Sequence, residues 1–159
     1  MDQEIKLFLK ESIDLELNIG DLYELFSVKF PDDYDFWWKI SMEEMNHAAL
    51  IESINDIFMP ESINPAESIE KQTHDLREMN QLLKERIEQY KLIPPTRLEA
   101  FKFGMELENS AGESHFEAFM TEEPTSQMER IFQKLNGDDK NHAIRMARYM
   151  KANVLPTAI

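Results

Sequence analysis

The feature that most constrains the fold of this chain is a set of four apolar seams, each interrupted near its middle by acidic or imidazole side chains. Apolar residues recur at alternating spacings of four and three within residues 5–30, 37–58, 98–119 and 128–149. This spacing lines one face of an α-helix and predicts four helices packed against one another. The polar interruptions on these core-facing seams are Glu16, Glu44, His47, Glu108, Asp139 and His142.

Prolines separate the long segments and predict helices at roughly residues 3–29, 32–58, 66–91, 96–121 and 125–152. The middle segment is amphipathic and would extend about 40 Å at about 1.5 Å per residue, long enough to run the length of a bundle. We therefore predict an all-α, ferritin-like four-helix bundle of two helical hairpins joined by this long helical crossover. Residues 1–159 would form a single domain.

The acids in each predicted hairpin are expected at the same depth. The midpoint between Glu16 and Glu44, like that between Glu108 and Asp139, falls at a turn marked by proline. Residues equidistant from the turn of an antiparallel hairpin are level, and both pairs would lie about 21–23 Å from their turns. The hairpins also resemble each other, since EMNHA in the first corresponds to DKNHA in the second. Two related half-sites are therefore expected at one level of the core.

Carboxylates on a core seam need partners, because an unpaired buried charge costs on the order of several kcal/mol. No Lys or Arg occupies this level of the seams, and two histidines do not balance four acids. An acid and a His at positions i and i+3 share a helix face, and carboxylate with imidazole suits iron, manganese or zinc. We predict two metal ions, iron by preference, with these ligands: the single acids Glu16 and Glu108, and the motifs Glu44-x-x-His47 and Asp139-x-x-His142.

Other interpretations of these residues stay open at the level of sequence. The same six could form a metal-free polar layer in which Glu–His pairs set the helix register. Tyr23, two turns from Glu16, either hydrogen-bonds or quenches radicals near the metals, or packs in the core. His115, two turns from Glu108, is either an additional ligand or outer-sphere group or an ordinary core histidine.

Composition excludes several classes of site. The chain has no cysteine, which excludes disulfides, iron–sulfur clusters, thiolate zinc sites and cysteine nucleophiles. Its formal net charge of −14 disfavours binding to nucleic acid and to anionic membranes. No apolar run approaches the roughly 18 residues of a membrane span, and the first residues do not resemble a signal peptide. The expectation is a cytoplasmic protein.

The motifs on the four seams are, in chain order, Glu16-x-x-Ile19-x-x-Leu22-Tyr23, Glu44-x-x-His47, Glu108 and Asp139-x-x-His142. In this order and spacing they resemble rubrerythrin, a family of the ferritin-like superfamily. The resemblance covers the four bundle helices and leaves out the crossover. It implies a non-haem di-iron site that reacts with peroxide or dioxygen. In that site Glu44 would bridge, His47 and His142 would be terminal ligands, and the catalytic residues would be Glu16, Glu44, Glu108 and Tyr23.

The chain departs from the rubrerythrin pattern in four ways. Asp139 stands where the family has Glu, Ala111 where it has a further carboxylate, and His115 where it has a tyrosine. Because the sequence has no cysteine, no rubredoxin domain is expected, and electrons would come from an external donor. The resemblance implies a peroxidase or oxidase that reduces peroxide or oxidises ferrous iron, and a homodimer. The alternatives are an iron-binding or storage protein without turnover, a metal-free structural bundle, and a hydroxylase whose substrate the sequence does not name.

Overall fold

A computed structural model describes residues 3–56, 66–116, 123–124 and 126–155, with their side chains except at 55–56, 66–68 and 111–116. It contains five α-helices: α1 (Gln3–Lys29), α2 (Tyr34–Glu52), α3 (Ala66–Leu92), α4 (Arg97–Phe116) and α5 (Gln127–Asn153). No strand occurs within these ranges, so the all-α prediction is confirmed for this part of the chain. Among the described helices, none combines the length and hydropathy that a membrane span would require.

The second predicted helix, 32–58, is shorter in the structure because a 3-10 turn flanks α2 on each side. Pro31–Asp33 precedes it and Ser53–Asp56 follows it. Proline is well suited to the first position of such a turn, because its missing N–H would have no partner there. The rest of this prediction, residues 57–58, and the predicted end of the fourth helix, 117–121, lie outside the described residues.

The last helix begins at Gln127 because Ser126 caps it. The backbone N–H of Glu129 donates to Ser126 Oγ at 3.1 Å, and the Glu129 carboxylate accepts from the Ser126 N–H at 2.9 Å. This reciprocal pair satisfies two backbone donors at the helix start.

Helices α1 and α2 pack as an antiparallel hairpin. Near the turn, the rings of Phe26 and Trp37 lie 5.1 Å apart, centroid to centroid. Farther from it, Ser41 Oγ donates a hydrogen bond of 2.9 Å to the backbone oxygen of Gly20. A Cβ on Gly20 would lie 3.0 Å from the Met45 methyl, so glycine permits the close approach of the two helices at this point.

Helices α4 and α5 form the second antiparallel pair and share a core with the first. Phe101 of α4 stacks on Tyr149 of α5 at 5.5 Å and lies 4.5 Å from Trp37 of α2. At the other end, Phe8 of α1 contacts Phe132 of α5 at 5.5 Å. The aromatic core thus joins all four helices above and below their midpoints, as in a helical bundle.

Helix α3 lies against α1. Asn80 donates to the backbone oxygen of Glu11 at 2.9 Å and accepts from the Asn18 amide at 2.8 Å. Near its end, Tyr90 packs on Phe26 of α1 and, edge-on, against Phe103 of α4. Through these contacts α3 runs parallel to α1 and leads from the first hairpin to the second.

A buried ion pair ties three chain segments together at one end of the fold. Both oxygens of Asp33, whose side chain is fully buried, accept from Arg97, at 2.5 Å from Nη2 and 2.6 Å from Nε. Arg97 also donates to the backbone oxygen of Asn153 at 2.9 Å. The turn before α2, the start of α4 and the end of α5 are therefore held together by one guanidinium group.

Replacing Asp33 should destabilise this junction. We expect Asp33→Ala to lower the free energy of unfolding by about 2 kcal/mol, since Arg97 loses a bidentate, charge-assisted partner while remaining partly solvated. Urea denaturation measures the difference. Asp32→Ala, at the neighbouring exposed carboxylate, is the control and should change stability by less than about 0.5 kcal/mol. Equal effects of the two substitutions would contradict a specific role for the Asp33–Arg97 pair.

Candidate metal centre

The six polar residues of the seams meet in the middle of the four-helix core. Each is at most 4 % exposed, although each side chain is strongly hydrophilic. Four helices contribute to this polar layer, whose members are Glu16 of α1, Glu44 and His47 of α2, Glu108 of α4, and Asp139 and His142 of α5. The sequence-predicted ligands thus lie together in the structure.

Within the polar layer, the side chains form two groups that could each hold a metal ion. In each group the candidate ligand atoms lie within 4.8 Å of one another. The larger group consists of Glu16, Glu44, His47 and Asp139, and the smaller of Glu44, Glu108 and His142. A cluster of carboxylate oxygens and imidazole nitrogens of this kind suits divalent iron, manganese or zinc.

Glu44 belongs to both groups, and its two oxygens face different histidines. Oε2 lies 3.0 Å from His47 Nδ1, whereas Oε1 lies 2.6 Å from His142 Nδ1. The carboxylate therefore stands between the two imidazole nitrogens, which is the position that a bridging ligand requires.

Asp139 is grouped with the histidine of the other helix. Its Oδ1 lies 3.6 Å from His47 Nδ1, and it does not belong to the group that contains His142, three residues further along α5. The Asp139 side chain is one methylene shorter than that of Glu44, which limits how far its oxygens extend across the layer. Within the described residues, Glu44 is the one carboxylate shared by both groups.

Several atoms of the layer lack hydrogen-bond partners among the described residues, which is unusual for buried polar atoms. They are Glu44 Oε1, Asp139 Oδ1 and His142 Nδ1. Glu44 Oε1 and His142 Nδ1 approach each other closely but without the alignment of a hydrogen bond. A carboxylate oxygen and an imidazole nitrogen that converge in this way can share a cation once the nitrogen has lost its proton, so the residues present are suited to a metal pair.

Burial and crowding shift the acids of the layer towards their neutral forms. Burial, followed by the nearby charge of Glu44, raises the pKa of Glu16 to about 8 and that of Glu108 to about 7. The pKa of Asp139 is also raised well above its usual value, by burial and then by Glu16. Three carboxyl groups of the layer therefore resist ionisation unless a cation compensates their charge.

The pKa values of Glu44 and of the two histidines shift so as to favour the charged forms of these groups. Burial would raise the pKa of Glu44, but the two imidazoles outweigh it and lower the value to about 2. Burial would likewise lower the pKa values of the imidazoles, but the adjacent carboxylates raise that of His47 to about 10 and that of His142 to about 11. Two imidazolium groups around an ionised Glu44 partly balance the layer, and metal binding would have to displace their Nδ1 protons.

The predicted catalytic residue Tyr23 lies beside the smaller group. Its hydroxyl donates a hydrogen bond of 2.6 Å to Glu108 Oε1, and the side chain is completely buried. Burial and then the charge of Glu108 raise the pKa of Tyr23 well above its usual value, so the phenol keeps its proton. The side chain of His115 lies outside those that the structure describes, and the prediction for it stays open.

Sequence reasoning did not single out two carboxylates on the outer side of the layer. Glu43 Oε2 lies 2.9 Å from His142 Nε2, and Asp138 Oδ2 lies 3.6 Å from His47 Nε2. Each directly precedes an acid of the layer, so the doubled acids at 43–44 and 138–139 were the available signal. A cavity of about 260 Å³ opens here between α2 and α5, with both imidazoles in its wall. The imidazole rings stack at 5.5 Å with 12° between their planes.

No match to this chain was found among known protein families, curated proteins or solved structures.

The pKa shifts predict how the stability of the metal-free protein depends on pH. A folded-state pKa above the unfolded value, as for Glu16, His47 and His142, means that the folded state holds extra protons. Stability should therefore fall as pH rises from about 6 to about 8.5, by more than about 1.4 kcal/mol, the equivalent of one pKa unit. Urea denaturation with a chelator at the two pH values measures this change.

The control is His74→Gln, which removes an exposed histidine outside the layer and should keep the full pH dependence. Glu16→Gln removes a titrating group from the layer and should reduce it. Equal stability of the unsubstituted protein at the two pH values would show that the layer does not store these protons.

Proposed function

We propose that this chain is a ferritin-like, rubrerythrin-like non-haem di-iron protein that reduces peroxide or oxidises ferrous iron at a carboxylate-bridged metal pair. The observation that carries the proposal is the shared Glu44 carboxylate, with one oxygen towards each histidine. A buried carboxylate that belongs to two ligand groups is placed to bridge two cations, and the imidazoles that compensate its charge in the metal-free protein would become neutral ligands when metal binds.

The arrangement of donors on the helices supports the same proposal. Di-iron carboxylate bundles use one Glu from each of two helices and a Glu-x-x-His motif from each of the other two. Here Glu16 and Glu108 are the single acids, and α2 and α5 carry the acid-x-x-His motifs. The four carboxylates together carry the charge that two divalent cations neutralise, leaving the imidazoles as neutral ligands.

The residues around the layer are suited to redox chemistry with a small oxidant. A bound pair of ferrous ions would supply the two electrons that reduce peroxide to water. The Tyr23 hydroxyl oxygen lies 2.6 Å from Glu108 Oε1 and donates its proton to it in a hydrogen bond at the edge of the layer, where it can orient that carboxylate. The fully buried rings of Trp37, Phe101 and Phe132 limit the access of water along the bundle axis. The electrons consumed in turnover would come from an external donor.

Metal content after loading tests the proposal. The protein is loaded with ferrous iron under anaerobic conditions, desalted and analysed for iron per chain. We expect two irons in the unsubstituted protein and fewer than one in Glu44→Ala, because that change removes a ligand from both groups. Glu52→Ala, an exposed position on the same helix, is the control and should load normally. Circular dichroism verifies that each variant is folded.

Mixing the loaded protein with peroxide then separates the candidate functions. Rapid oxidation of both irons supports the oxidoreductase, whereas stable binding with slow oxidation supports iron binding or storage. A folded protein that takes up no metal would contradict the proposal and leave a structural polar layer.

A role for Tyr23 at the site can be measured separately. We expect Tyr23→Phe to retain two irons but to slow their oxidation by peroxide about tenfold, equivalent to about 1.4 kcal/mol, since Glu108 loses its hydrogen-bond donor. Stopped-flow absorbance measures the rate. Tyr34→Phe changes an exposed tyrosine and should leave the rate unchanged. Equal rates in all three proteins would restrict Tyr23 to packing.

A further inference from the structure

We propose that Glu43 and Asp138 are positioning residues that orient the two imidazoles across the α2–α5 interface, each acting on the histidine of the other helix. The inference deepens the proposed function and rests on it for the identity of the metal site. It assigns a role to two acids that are not themselves members of either ligand group.

The histidine rings present different nitrogens to the two sides of the layer. Nδ1 of His142 faces Glu44 and Glu108, at 2.6 Å and 3.5 Å, whereas its Nε2 faces Glu43 at 2.9 Å. The ring of His47 is oriented in the same way, with Nδ1 towards Glu44 and Nε2 towards Asp138. Both imidazoles thus lie between an inner carboxylate of a ligand group and an outer carboxylate that belongs to neither group.

This arrangement selects the tautomer that a metal requires. A neutral imidazole has one N–H donor and one nitrogen with a free electron pair. When the Nε2–H of a neutral His142 donates to Glu43, Nδ1 is left unprotonated and directed into the layer. Such outer partners fix the orientation of a ligating histidine and increase its basicity.

The outer carboxylates are themselves held by cations of α5. Arg145 Nη1 contacts the same Glu43 oxygen that faces His142, and Lys134 Nζ lies 3.0 Å from the Asp138 oxygen that faces His47. The contact of Asp138 with His47 is weaker than that of Glu43 with His142, because the Asp138–His47 distance of 3.6 Å exceeds that of a hydrogen bond. Lys134 is also 63 % exposed, against 26 % for Arg145. Glu43 should therefore have the larger effect.

Each outer carboxylate contacts the histidine of the other helix, so its effect can be distinguished from an effect on its neighbours in the sequence. Glu43 is adjacent to Glu44 and four residues from His47, yet its contact is with His142 on α5. Loss of Glu43 should therefore disturb the histidine of the other helix and spare the one on its own. Loss of Asp138 should do the reverse, so each variant is the control for the other.

The experiment uses nitrogen-15 NMR of the histidine side chains in the full chain, metal-free and loaded with zinc as a diamagnetic probe. We expect Glu43→Ala to shift the Nε2 resonance of His142 and to accelerate exchange of its N–H with solvent, with little change at His47. Asp138→Ala should give a smaller change, at His47. Zinc affinity should fall 10-fold to 100-fold in Glu43→Ala, and much less in the exposed control Glu52→Ala. Glu43→Gln keeps an acceptor oxygen and should restore part of the His142 signature.

The histidine spectra test the positioning role of Glu43, and zinc uptake tests the metal site. Equal shifts at both histidines in Glu43→Ala, or none, would overturn the inference whether or not zinc binds. If the unsubstituted protein takes up no zinc, the proposed metal site fails, and the metal-free spectra still show whether Glu43 holds His142. A selective shift at His142 without loss of zinc affinity would also overturn a positioning role, because the contact would then have no effect on the ligand.

Discussion

The cost of burying four carboxylates and two imidazoles in an apolar core is the constraint on which the rest of this structure depends. The layer is almost completely removed from solvent and no Lys or Arg belongs to it. Its charge must be compensated by protons or by bound cations. The aromatic contacts on both sides of the layer maintain this condition, because they keep the surroundings dry and of low polarity. A more open core would solvate the same residues and remove the desolvation cost that favours the binding of cations.

The layer also requires an accurate helix register. Equal spacing from their turn makes Glu16 and Glu44 level, but they meet only because α1 and α2 pack closely, and Gly20 permits that approach beside Ser41. A second close contact occurs at Gly104, where a Cβ would lie 2.9 Å from the Met146 sulfur. The Asp33–Arg97 pair then connects the two hairpins at their common end. The contacts at Gly20 and Gly104 lie one helical turn from the layer, and a Cβ on Gly20 would be 3.5 Å from that of Glu44. Together with the more distant Asp33–Arg97 pair, they determine which side chains meet in the layer.

Much of this could be predicted from the sequence, because periodicity reports which residues face the core. The helices and the six members of the layer followed from the seams, and the convergence of the acids followed from their equal distances to the turns. The seams do not report cross-helix geometry. The grouping of Asp139 with His47 depends on the length of the aspartate side chain and on how closely the helices approach. Neither of these can be read from the spacing of apolar residues. Glu43 and Asp138 lie one position off the seams, so the pattern that identified Glu44 and Asp139 did not single them out.

The unequal size of the two ligand groups has a consequence for any pair of ions that they hold. Four residues surround one position and three surround the other, with Glu44 common to both. The ion with fewer protein ligands would retain more coordination sites for water or a small anion and would exchange with solution more readily. Because both ions share one carboxylate, the departure of the weaker one would also change the charge felt by the other. The two halves of the fold are related by a sequence repeat, but the two metal positions that they form together would differ in their coordination.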